Sequence, residues 1–124
     1  MLEGFKEYNM SVGTASVSIS ENGVGFSKTA VIKMEKPKYV RLLINDETKQ
    51  IAIQKSKDNE GIKFYNESKR NIGVRWNNKE LLKTISQMMD WDLAGKVFRV
   101  DGDYNKEDQA LIFDLKNAEE TESK

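Results

Sequence analysis

The sequence predicts an α+β fold, mostly antiparallel β-hairpins with two helices, on three observations. Short stretches with two-residue alternation recur along the chain, Ser16-Val-Ser-Ile-Ser20 and Gln50-Ile-Ala-Ile-Gln54 being the clearest. Compact polar turns separate them, and helical spacing of apolar residues occurs only twice. With 124 residues, 38% apolar and 32% charged, the chain is long enough for one core under a wet surface. A single domain over residues 1–116 is therefore expected, followed by a polar, disordered tail over 117–124.

Residues 1–14 are polar with scattered aromatics. Ser16–Ser20 reads as a half-buried strand and Asn22-Gly23 as a type I′ hairpin turn, because both central positions of that turn need positive φ. Val24-Gly-Phe26 is the returning strand. Ser27 is placed as N-cap of a short helix from Lys28 to about Lys36, with Ala30, Val31 and Met34 on one side and Pro37 as the stop. Tyr39–Ile44 and Gln50–Gln54 form a second hairpin around Asn45–Lys49, and the charged run Lys55–Gly61 is the seam between two halves.

Ile62–Tyr65 and Ile72–Trp76 read as strands separated by the polar stretch 66–71. Asn77 or Asn78 caps the strongest helix, Lys79 to about Trp91, in which Leu81, Leu82, Ile85, Met88 and Met89 recur at three- and four-residue steps. Gly95 is the expected positive-φ stop. Lys96–Val100 and Ala110–Leu115 are strands around the acidic turn Asp101–Asp108. Each half then shows a strand, a helix capped just after an aromatic residue, and a hairpin, so residues 15–56 and 72–116 are candidate pseudo-repeats.

The absence of histidine and cysteine removes imidazole bases, thiolate nucleophiles, disulfides and the usual ligands of zinc, haem and iron–sulfur clusters. No cofactor, no metal and no catalytic residue is expected. The lack of cysteine fits a reducing cytoplasm, the N-terminus lacks the apolar core of a secretory leader, and no apolar run reaches bilayer length. A cytoplasmic protein without membrane association is the expectation.

Two motifs read as ordinary turns. Asn22–Thr29 ends in Lys-Thr like a phosphate loop but has Asn22 and Ser27 where that loop needs glycine. Asp101-Gly-Asp-Tyr-Asn105 has calcium-loop spacing, yet the sixth position is Lys106 and the twelfth Ile112.

Twenty basic and twenty acidic residues cancel overall, but residues 1–90 hold fifteen basic against eleven acidic, and residues 91–124 five against nine. The body is basic and the C-terminal part acidic. Lys28, Lys33, Lys36, Lys38 and Arg41 in the first half and Lys69, Arg70, Arg75, Lys79 and Lys83 in the second are candidate nucleic-acid contacts, with Tyr39, Tyr65 and Trp76 interleaved. Solvated faces of a highly charged chain read the same way.

The run Val17–Val31, with Tyr39–Ile44 and Ile51–Ile53, resembles the strand–turn–helix–hairpin pattern of AbrB- and MraZ-type swapped-hairpin proteins. The resemblance implies a bacterial, cytoplasmic, DNA-binding protein assembled from intertwined hairpins; it departs from that pattern at Ser27-Lys28 and Pro37-Lys38-Tyr39, and it covers Val74–Leu115 poorly. In overall style the chain also resembles uncharacterised proteins of phages and integrated elements of Gram-positive bacteria. The leading expectation is a non-enzymatic binding or regulatory module acting through a protein partner or homo-oligomer contacts. A DNA-binding regulator of swapped-hairpin type and an enzyme using Ser, Lys or carboxylates are the alternatives.

Overall fold

The computed structural model describes residues 3–5, 14–56, 60–68 and 70–122. Its strands are β1 (Ser16–Ser20), β2 (Gly23–Phe26), β3 (Tyr39–Asn45), β4 (Gln50–Lys55), β5 (Ile62–Lys63), β6 (Val74–Trp76), β7 (Lys96–Asn105), β8 (Ala110–Asp114) and β9 (Glu119–Glu122). Helix α1 (Lys28–Lys33) follows β2 and α2 (Lys79–Met89) follows β6. The α+β class with antiparallel hairpins is as the alternation implies. Among the described residues no helix is long and apolar enough to cross a membrane.

The strands form one curled sheet in the order β5-β3-β4-β8-β7-β1-β2-β6, with β9 added along β7. Strand β7 makes the curl possible by pairing with β1 through Val97–Asp101 and with β8 through Gly102–Asn105. The switch falls at Gly102, where a Cβ would lie 2.6 Å from the buried Phe113 ring. Only glycine fits there without moving the core. Paired residues share a face, so Val17, Ile19, Val24, Phe26 and Val100 from one side meet Val40, Ile51, Ile53, Leu111 and Phe113 from the other in one core cluster. Ile85 of α2 joins that cluster, and Trp91 beyond the helix stacks on Phe98 with centroids 4.0 Å apart.

Several local features differ from the sequence reading. The first hairpin turns on Glu21-Asn22, because Ser20 pairs with Gly23; only Gly23 takes positive φ, at 136°, so the turn is not type I′. Helix α1 stops at Lys33 rather than near Lys36: Glu35 and Lys36 are left-handed, and their N–H groups donate back to the carbonyls of Ile32 and Val31, which closes the helix before Pro37 is reached. Helix α2 ends at Met89, closed by left-handed Asp90 instead of Gly95. Strand β7 runs through Asp101–Asn105, where the acidic composition implies a turn, and Asn105 ends it by accepting the N–H groups of Glu107 and Asp108. The segment expected to be an unordered tail contains β9, whose backbone completes the open edge of β7 and whose Glu120 lies 3.8 Å from Lys96.

Candidate cleft between strands β5 and β6

The two ends of the curled sheet, β5 and β6, come together without pairing as strands. The Trp76 indole N–H donates to the Lys63 carbonyl at 3.1 Å, and the Trp76, Phe26 and Phe64 rings meet edge to face beneath it. Phe26 and Phe64 are buried, so aromatic packing fixes the seam from inside. Local structure explains how β5 arrives there. Phe64 and Tyr65 donate to the carbonyls of Lys38 and Pro37, and Gly61 turns the chain at φ 105°, with its missing Cβ facing the Val40 carbonyl at 2.5 Å.

Above the seam lies a cleft of ≈ 650 Å³. Its walls carry Tyr39, Tyr65 and Trp76 among Lys38, Lys63 and Arg75, and among the described residues Glu67 is the one acid lining it. All three aromatic residues are half-buried, which anchors the rings while leaving part of each at the wall. Lys36 reaches over the Tyr65 ring, Nζ 5.8 Å from its centroid, so a fourth cation borders the cleft. Among the described residues none of Lys38, Lys63 and Arg75 is in an ion pair, and their charge remains available to a ligand.

Arg75 also lines a neighbouring cleft of ≈ 440 Å³ with Lys28, Ser16, Ser18 and Gly25. Its guanidinium passes 3.8 Å from the point where a Gly25 Cβ would sit, so the side chain lies along that floor. Ser27, also on this wall, is committed to structure: its hydroxyl accepts the N–H groups of Ser16 and Ala30 and caps α1.

The ten candidate cations thus divide. Lys38 and Arg75 line the main cleft, Lys36 borders it through Tyr65, and Lys28 is joined to it through Arg75. Arg41 is elsewhere, bonded to Gln54 at 3.4 Å in a cleft with Glu60, Glu107 and Asp108. Lys33 ends α1, Lys79 and Lys83 lie on α2, and Arg70 lies in the connection before β6; all four are exposed and none lines the main cleft. Lys69 lies outside the described residues. Lys63 was not among the candidates; its position between Ile62 and Phe64 in a predicted strand, opposite Tyr39 in the ladder, is the signal that marks it. Of the acidic segment read as a calcium-like loop, Asn105 serves the turn that follows β7, and Asp101, within β7, lies 3.8 Å from Arg99.

Comparison of the chain with protein-family models, curated proteins and solved structures gives no match.

Proposed function

We propose that this chain is a non-enzymatic, cytoplasmic nucleic-acid-binding module that takes single strands into the β5–β6 cleft. The observation that carries the reading is the convergence of Tyr39, Tyr65 and Trp76 with Lys38, Lys63 and Arg75 in one concavity, from positions up to 38 residues apart in sequence. Aromatic faces offer stacking to unpaired bases, and cations beside them hold the phosphates between the bases. A duplex keeps its bases stacked and is read by elements that protrude into a groove. Here the cations and rings lie in a hollow.

Fluorescence anisotropy with a labelled oligo-dT strand tests the reading. At about 50 mM salt the wild type binds the strand and holds a duplex of the same length at least about ten-fold more weakly. Tyr39→Ala and Tyr65→Ala each lower single-strand affinity by about five-fold or more, as loss of one stacking platform requires. Equal affinity for strand and duplex, or indifference to both substitutions, overturns it.

A protein-contact reading is favoured by one different observation. Leu43, Ala52 and Ile112 stand in register across β3, β4 and β8, and Leu43 is 39% exposed. Sedimentation of wild type and Leu43→Glu decides it: a dimer abolished by the substitution supports contact through this face, and a wild-type monomer rejects the homo-oligomer.

A further inference from the structure

The strand ladders repeat themselves at a fixed spacing. In the β3–β4 hairpin Leu42 faces Ile53, Leu43 faces Ala52 and Ile44 faces Ile51; sixty residues on, Gly102 faces Phe113, Asp103 faces Ile112 and Tyr104 faces Leu111. The turns repeat as well. Asn45 accepts from Glu47 and Thr48 as Asn105 does from Glu107 and Asp108, and Lys49 and Gln109 are both left-handed at φ 60° and 51°. Lys55 donates to the Gln109 carbonyl and Leu115 to the Lys49 carbonyl, each at 3.0 Å. The same exchange carries β2 onto β6, which pair around Gly25 and Arg75, and carries the β1–β7 pairing onto β5–β3.

Exchanging β1-β2-α1-β3-β4 with β5-β6-α2-β7-β8 therefore reproduces each pairing among these eight strands except one. β1 pairs with β2, whereas β5 does not pair with β6, and the cleft lies at that vacancy. The connections explain the difference. Glu21-Asn22 joins Ser20 to Gly23, while residues 66–72 join the equivalent Tyr65 and Gly73. The side chains differ in the same sense: Ser18, Ser20 and Gly25 of the closed hairpin correspond to Lys63, Tyr65 and Arg75 of the open one. Phe26, held in the ladder opposite Val17, corresponds to Trp76, which crosses the gap with its indole N–H instead.

We infer that the chain is an internal duplication with one sealed and one open copy of the same hairpin, and that the longer 66–72 connection keeps the second copy open as the one binding slot per chain. The nature of the ligand rests on the single-strand reading above; the sealed-and-open relationship does not. An extended ligand occupies the space between β5 and β6 where the first copy has its own strand partner. Closing the hairpin and binding the ligand are alternatives.

Replacing residues 66–72 by Glu-Asn, the turn of the first copy, tests this by hydrogen exchange and oligo-dT anisotropy together. The shortened chain folds by circular dichroism, gains amide protection at least ten-fold at Lys63, Gly73 and Arg75, whose N–H groups face the gap, and loses oligo-dT affinity at least ten-fold. The double variant Lys63→Ser, Arg75→Gly, with the full connection, loses affinity without gaining protection. A shortened chain that fails to fold, gains no protection, or still binds as wild type overturns the inference. If the wild type takes no oligo-dT, the ligand reading fails, and the amide protection still decides whether the hairpin closes.

Discussion

The Trp76 indole N–H and the Lys63 carbonyl, 3.1 Å apart, join the two ends of the sheet by a side chain where a strand ladder would otherwise run. Among the described residues, one hydrogen bond and three rings hold a boundary that backbone pairing holds elsewhere along the sheet. The cleft lies where that backbone pairing is missing.

Trp76→Phe keeps most of the ring packing against Phe26 and Phe64 and removes the indole donor. The expected cost is about 1 kcal/mol, the net worth of one hydrogen bond. Trp76→Ala also removes the ring and costs about 3 kcal/mol. Urea denaturation followed by far-ultraviolet circular dichroism measures both; a Trp76→Phe variant as stable as the wild type would show that the indole N–H contributes nothing.

Gly102→Ala places a methyl group within 2.6 Å of the Phe113 ring, which is fully buried and has nowhere to retreat. Overpacking of this kind costs about 1–3 kcal/mol. Pairing it with Phe113→Leu, which clears space at the ring position, recovers part of the loss, so the double variant is less destabilised than the sum of the two singles. Additive losses would show that the methyl group and the Phe113 ring do not meet.

Ser27 ties β1 to α1 by accepting two N–H groups, from Ser16 at 3.0 Å and from Ala30 at 3.1 Å. Ser27→Ala leaves both donors without that acceptor and costs about 1–2 kcal/mol, at the upper end for an N-cap. Ser27→Thr retains the hydroxyl and most of the stability. Thermal melts of the two variants separate the lost acceptor from changed packing.

Much of the fold is legible in the sequence because alternation and turn composition are local signals. Gln50–Gln54 alternates, and β4 lies within one residue of that stretch. What was less legible depends on partners distant in sequence. The acidic residues Asp101 and Asp103 belong to a strand because β1 and β8 supply ladders on either side of Gly102, a relationship no local window contains. Glu119–Glu122 has the composition of a solvated tail and becomes β9 because β7 leaves an edge to be filled. The cleft divides in the same way. Tyr39, Tyr65, Trp76, Lys38 and Arg75 could be named from charge and aromatic interleaving, but periodicity does not say that β5 and β6 meet without pairing. Arg41 has the same chemistry as Arg75 and points to the acidic cleft, since its register opposite Gln54 carries it away from the seam.

The salt dependence of oligo-dT binding, compared between wild type and the triple variant Lys38→Gln, Lys63→Gln, Arg75→Gln, tests the proposed function most directly. Three cations on phosphates of a single strand give a slope of log affinity against log salt of about −2, since each contributes roughly −0.7. The expected result is that slope for the wild type and a distinctly shallower one, with affinity much reduced, for the triple variant, which keeps Lys36 at the rim. Absence of binding by the wild type at low salt, or the same slope in both proteins, would contradict it.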